Sequence, residues 1–303
     1  MSAATMVGLD IGATKVLGVA TDGDGRVLAE VLTTTPLGAD AVVAAAADVV
    51  TELRARTGHR LEGTVGVGIP GIVDVARGAV KHAVNLGVEE EWLPLADLLS
   101  VATGAPVVVD NDVNAAALGA AHVTGHQDLV YLSIGTGLAA ASILDGRLRR
   151  GAHAAAGEIG HISVDPAGRP CRCGQVGCLE IAASGSAVAE LWPATDVPPA
   201  RALFDAAAAG DAKAVRVRDA FAARVADAVR LVALTVDPEV VLLGGGVAQV
   251  GEDLRVAVAR ALAVQATASP FLRSLELPSR LELVPSDVPV AAVGAALLGR
   301  VSP

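Results

Sequence analysis

The chain has 303 residues, of which 52% are hydrophobic and only 2% aromatic, and a formal net charge of −10 at pH 7. That length accommodates two domains, each burying a core of small aliphatic side chains, and the acidic balance argues against DNA or another polyanion as the main partner. A membrane partner is not expected either: mean hydropathy is +0.54, yet charges or glycines interrupt every apolar run before the roughly 20 residues needed to span a bilayer.

The first residues, Met1 to Met6, lack the basic and long apolar regions of a secretory signal, so a cytoplasmic protein is expected. An internal repeat then organises the chain. Val7-Gly8-Leu9-Asp10-Ile11-Gly12 and Val130-Tyr131-Leu132-Ser133-Ile134-Gly135 share apolar spacing and a glycine, and at the same offset Asp22-Gly23 falls on Asp145-Gly146. Each stretch predicts strand, glycine turn, strand, Asp-Gly turn, strand, an antiparallel meander.

Helices and strands alternate after each meander. The first half predicts a helix over 38–58, a strand over 64–69, a helix over 94–103, a strand over 106–110 and a helix over 113–123. The second predicts helices near 187–191, 199–209 and 213–236, an apolar strand at 240–243, a helix to about 268, a strand at 281–284 and a last helix from 290. Two copies of a meander followed by such units describe a duplicated α/β fold of the actin-like, ribonuclease-H-like ATPase type, with two lobes and a cleft between them. The expected division is a small lobe over 1–113 and a larger one over 114–289, with the terminal helix at about 290–303 packing back on the first.

Several motifs on this plan carry chemistry. Asp10 to Lys15 occupies the first hairpin turn, where Gly12 lets backbone N–H groups face a phosphate, Thr14 adds a hydroxyl and Lys15 a charge. Asp10 at the strand end suits a hydrated Mg²⁺. An ordinary polar hairpin would look the same in isolation, but Gly135-Thr136-Gly137 repeats the chemistry in the second half. Gly244-Gly245-Gly246 follows an apolar strand and reads either as a close approach for adenosine and phosphates or as a tight turn. Asn111-Asp112-Val113-Asn114 follows the Val107-Val108-Val109 strand. A carboxylate there can take a hydroxyl proton as that oxygen attacks a phosphoryl group, and Asp or Asn there can equally cap a helix.

The three cysteines lie together, as Cys171-Arg172-Cys173-Gly174-Gln175-Val176-Gly177-Cys178, ten residues after His161. An odd, clustered set suits a reducing compartment and a metal better than a disulfide scaffold. His161, Cys171, Cys173 and Cys178 satisfy tetrahedral zinc, and four protein ligands make such a site structural. Glu158 and Glu180 flank it; with the second imidazole nitrogen they can read sugar hydroxyls, although each could also be a solvated surface charge.

Together these residues resemble the ROK family (repressors, open reading frames and kinases), most closely its bacterial glucokinase branch. The likeness runs from Asp10 to Val293-Gly294-Ala295, and its most specific piece is Gly157-Glu158-Ile159-Gly160-His161 leading into the cysteine run and Leu179-Glu180. The resemblance implies Asp112 as catalytic base. It implies Gly71, Asn111, Glu158, His161 and Glu180 around the sugar, and Asp10, Gly12, Thr14, Lys15, Gly135, Thr136, Gly137 and Gly244 to Gly246 around Mg-ATP. It also implies a homodimer or homotetramer.

One departure stands out: Leu138-Ala139-Ala140-Ala141 replaces a further glycine run. A methyl at Ala139 would crowd the nucleotide if the backbone there needs positive φ, and would be harmless on an extended strand. The family's repressors carry a DNA-binding domain ahead of the first phosphate turn; with Asp10 at the tenth residue and an acidic net charge, a repressor is not expected. A sugar-binding protein without catalysis is the remaining rival, favoured only by the alanine run. Glucose is the leading substrate, followed by N-acetylglucosamine, N-acetylmannosamine, fructose, mannose and allose, with polyphosphate as an alternative donor. The wall around the sugar's C2 and C4 is expected from loops such as Val84–Trp92.

Overall fold

A computed structural model describes residues 5–58, 63–83, 87–88 and 91–299. The chain forms two compact units, one of residues 1–125, 148–155 and 287–303, the other of residues 126–147 and 156–286.

The first unit contains β1 (Met6–Ile11), β2 (Lys15–Thr21), β3 (Val27–Thr34), α1 (Ala39–Thr57), β4 (Val65–Ile69), β5 (Ile72–Asp74), β6 (Ala79–Lys81), α2 (Leu95–Thr103), β7 (Val107–Asn111) and α3 (Asp112–Thr124). Its main sheet runs β3-β2-β1-β4-β7, the meander antiparallel and β1, β4 and β7 parallel. Every residue of β4 is buried, as expected of a strand covered on both faces, whereas edge strand β3 alternates half-buried with exposed. The C-terminal helix (Val290–Leu298) packs on α3, β1 and β4. Small residues make that contact close: a Cβ built on Gly66 would run into the Ala295 carbonyl, and one on Gly294 into that of Ala115. Helix α3 therefore stays with the first unit, so the break falls at Gly125 where the sequence reading put it at 113.

The second unit repeats the plan with β8 (Leu129–Ile134), β9 (Leu138–Leu144), β10 (Arg147–Leu148), α4 (Glu180–Ala183), α5 (Gly185–Leu191), α6 (Pro199–Ala208), α7 (Ala212–Val236), β11 (Val240–Gly244), α8 (Glu252–Ala266), α9 (Pro270–Ser274) and β12 (Leu281–Leu283). Its sheet order, β10-β9-β8-β11-β12, matches that of the first position by position. Both copies form antiparallel hairpins, but the turns differ by one residue: β1–β2 closes at Ile11↔Val16 and β8–β9, one residue shorter, at Ile134↔Leu138. This is the duplicated actin-like α/β fold. The core of the second unit joins Leu132 and Leu243 of the sheet to Phe221, Val225 and Val229 of α7.

The second turns of the two meanders differ. Asp145 and Gly146 are both left-handed, at φ 53° and 69°, and close β9 directly onto β10. Asp22-Gly23 instead opens a longer loop, because Asp22 Oδ1 accepts the N–H groups of Asp24 and Arg26, each at 2.9 Å, and the left-handed residue is Gly25. Among the described residues no helix is long and apolar enough to cross a membrane.

Candidate active site

In the first unit the β1–β2 turn is held from both ends. Gly12 N–H donates to the Lys15 carbonyl at 2.9 Å, Thr35 Oγ1 donates to the Gly12 carbonyl at 2.8 Å, and Thr35 N–H donates to the Thr14 carbonyl at 3.1 Å. Ala13, Thr14 and Lys15 are left exposed. Asp10, half-buried at the end of β1, has its carboxyl pushed up to about 7, first by burial and then by the negative charge of Asp112, with Lys15 pulling the other way. The fold thus brings Asp10, Lys15 and Asp112 into one electrostatic neighbourhood.

Asp112 opens α3, a helix N-terminus that favours a negative charge. The cap is its neighbour Asn111, whose Oδ1 accepts from Val113 N–H at 2.9 Å and Asn114 N–H at 3.3 Å. The capping reading of this turn therefore belongs to Asn111, and Asp112 Oδ1 also accepts from Val113 N–H at 3.0 Å. Asn111 Nδ2 donates to the Gly71 carbonyl at 3.2 Å, tying the turn to the Gly-Ile-Pro-Gly loop. Gly71 is left-handed at φ 107°, and a Cβ there would press on the Lys81 carbonyl at 2.6 Å, so no other residue fits without strain.

In the second unit the Gly135-Thr136-Gly137 turn is pinned by the start of α5. Gly185 N–H donates to the Gly135 carbonyl at 2.7 Å and Ser186 N–H to that of Thr136 at 3.3 Å. The residues after it, Leu138 to Ala141, run in β9 with Ala139 opposite Ser133, and none has positive φ. The alanines therefore occupy extended backbone that tolerates them. Glu180 stands at the first position of α4, and its Oε2 accepts from Leu138 N–H at 3.0 Å. Glu158 is exposed and His161 half-buried, at either end of a short 3₁₀ turn.

The three glycines after β11 have separate tasks. A Cβ on Gly244 would strike the Tyr131 ring, and one on Gly245, left-handed at φ 84°, would meet the Ile134 backbone at 2.7 Å. Only Gly246 has open space around it. A 3₁₀ turn (Gly246–Val250) intervenes before α8.

His161, Cys171, Cys173 and Cys178 offer ligand atoms that all lie within 4.8 Å of one another. Cys173 Sγ and Cys178 Sγ are 3.5 Å apart, and Cys171 Sγ is 4.0 Å from His161 Nδ1. Tetrahedral zinc with metal–sulfur bonds of about 2.3 Å needs ligand atoms roughly 3.5–4 Å apart, so the donor set fits such an ion. Gln175 braces the loop, its Nε2 donating to the His161 carbonyl at 3.1 Å and to Cys173 Sγ at 3.4 Å. Gln175 hydrogen bonds bring the Cys173 thiol down to about 6, while burial pushes Cys178 up to about 12.

Sequence reasoning missed Gln175 and two further residues. Asp110 is buried at the end of β7, and Arg150 grips its Oδ2. A charge closing the valine run is a visible signal for Asp110; Arg150, far along the chain, has none. Of the Val84–Trp92 loop, residues 84–86 and 89–90 lie outside the described residues. Trp92 itself sits beneath Lys81, whose Nζ is 4.8 Å from the ring centre.

The chain is 32% identical over 272 residues to a glucokinase of Thermotoga maritima, covering 82% of this chain and 84% of that one. It is 36% identical over 210 residues to a glucokinase of Halalkalibacterium halodurans, a match that spans 63% of each. The crystal structure of a ROK family glucokinase from Streptomyces griseus, in complex with glucose and AMPPNP, superposes with a TM-score of 0.81 at 31% identity, covering 98% of this chain and 99% of that one. The ROK family model matches residues 6–298, and the chain belongs to the ROK family.

Proposed function

We infer that this protein is an ATP-dependent sugar kinase that transfers the γ-phosphoryl group of ATP to a hexose hydroxyl, with glucose as the leading substrate and glucose 6-phosphate as the product. The observation that carries this reading is Asp112, presented at the start of α3 by the Asn111 cap and sharing its surroundings with Asp10 on the first phosphate turn. The likeness to glucokinases supports the choice of sugar.

In the reaction, the sugar hydroxyl oxygen forms a bond to the γ-phosphorus while the bond to the β,γ-bridging oxygen breaks and ADP leaves. Asp112 accepts the hydroxyl proton as that bond forms. Asn111, Gly71, Glu158, His161 and Glu180 orient the sugar. Gly12, Thr14, Lys15, Gly135 to Gly137 and Gly244 to Gly246 receive the nucleotide, Gly246 having the most open backbone of its group. Mg²⁺ bound with ATP neutralises phosphate charge, and Asp10 is the carboxylate suited to its hydration shell.

The cysteine–histidine cluster holds zinc as a structural ion, a reading supported by its donor set and spacing. Bound through Nδ1, His161 would keep Nε2 for a sugar hydroxyl, and Cys178 would fix the segment that leads into Glu180. The same reading makes the protein cytoplasmic, a homodimer or homotetramer, and free of nucleic-acid partners.

The test is ADP release from Mg-ATP with a panel of hexoses and N-acetylhexosamines, and with polyphosphate in place of ATP. Turnover on glucose supports the reading as stated. Turnover on another sugar keeps the kinase and changes its substrate, and silence across the panel would contradict it.

A further inference from the structure

Asp110 is the most deeply buried charge near Asp112: it retains 1% exposure and has four donors. Its Oδ1 accepts from Asn111 N–H at 2.7 Å and from Asn114 Nδ2 at 2.9 Å. Its Oδ2 accepts from Arg150 Nε and Nη2, each at 2.7 Å. One carboxylate therefore grips the residue before Asp112 and another on the first turn of α3 after it.

Stability alone does not explain this arrangement. A buried ion pair is often matched or exceeded by apolar residues of similar volume, and the rest of β7 leading to Asp110 is valine. What valine could not do is fix the backbone and the Asn114 amide on either side of Asp112. The two-pronged Arg150 contact sets which way Asp110 faces: with Oδ2 engaged by the guanidinium, Oδ1 is left for Asn111 and Asn114. A lysine supplies the charge but not that fork.

We propose that Asp110 and Arg150 form a positioning pair for Asp112, holding the Asn111-to-Asn114 turn in the orientation in which the Asp112 carboxylate meets the sugar hydroxyl. Neither residue touches the reacting atoms; both act through the turn. The inference rests on the kinase reading above. A displacement of the base by about 1 Å costs on the order of 100-fold in rate, so the pair should govern kcat more than substrate affinity.

The experiment measures kcat and both KM values for wild type, Arg150→Lys, Arg150→Met and Asp110→Asn, at a temperature well below the melting point of each. Arg150→Met is expected to lose about 10- to 100-fold in kcat, with KM for sugar and ATP within about threefold. Arg150→Lys should recover part of that loss. Asp110→Asn keeps an acceptor for the turn but loses the charge on which Arg150 closes, and should fall between them. Should Arg150→Met fail to fold, Arg150→Lys and Asp110→Asn decide the matter by the same ratio. Folded variants with kcat within twofold of an active wild type would overturn the pair and leave the kinase standing. A wild type silent on every sugar would overturn the kinase reading and this inference with it.

Discussion

Glu180 Oε2 accepts a hydrogen bond from Leu138 N–H at 3.0 Å, so a residue assigned to the sugar also braces the strand leaving the Gly135-Thr136-Gly137 turn. Gly137 packs directly on that carboxylate, and a Cβ in its place would collide with Oε2. The turn and Glu180 are thus parts of one local structure within the second unit.

This contact predicts a nucleotide effect without sugar. Glu180→Ala removes the acceptor and should weaken ADP binding about tenfold by calorimetry in the absence of sugar, the size expected for a hydrogen bond to a charged group. Glu180→Gln keeps an acceptor and should hold ADP affinity within about threefold while raising the sugar KM. Unchanged ADP affinity in Glu180→Ala would limit the residue to the sugar.

Asp10 predicts a pH-dependent stability. With its folded pKa raised to about 7 from 3.8, the native state binds more protons than the unfolded chain between those values. Its contribution to stability is full below about pH 4 and is lost as pH rises through 7. The whole shift corresponds to about 4 kcal/mol, and partial exposure screens this to roughly 2 kcal/mol. Asp10→Asn in the absence of nucleotide should therefore stabilise the protein by that amount at pH 8 and by almost nothing at pH 4, measured by denaturant unfolding. A gap independent of pH would contradict the assignment.

The alanine run predicts little effect on the nucleotide. Ala139 is paired in β9 without positive φ, so Ala139→Gly should leave ATP KM within about twofold. Added chain freedom should cost roughly 0.5–1 kcal/mol of stability. A several-fold gain in ATP affinity would show that the methyl obstructs the donor after all.

The cysteine cluster predicts coupled losses. Cys173→Ser should bring zinc, measured by elemental analysis, well below one ion per chain, lower the melting temperature by roughly 5–10 °C, and raise the sugar KM through the Cys178-to-Glu180 segment. Full zinc content in that variant would remove Cys173 from the site.

Much of this was legible in the sequence because the signals are local or repeated. The glycine after each leading strand recurs at constant offset, and both copies fold into antiparallel hairpins, although the turn of the second copy is one residue shorter. The cysteines lie within one short loop, so their convergence with His161 needed little tertiary knowledge. Two short pieces, the β5–β6 hairpin and α9, fell below the length at which periodicity speaks. The fate of α3 depended on the C-terminal helix, and the grip of Arg150 on Asp110 joins distant parts of the chain; neither leaves a local pattern. The glycine run at 244–246 was legible as close approach, but two of its three glycines make room for Tyr131 and Ile134 within the fold.

The central claim, that Asp112 is the base of a sugar kinase, is tested most directly by Asp112→Asn, with turnover measured at saturating sugar and Mg-ATP and sugar affinity by calorimetry. The amide keeps shape and hydrogen bonding but cannot take the proton, so kcat should fall by about 10²- to 10⁴-fold with sugar affinity within about threefold. A variant turning over near the wild-type rate would contradict the account.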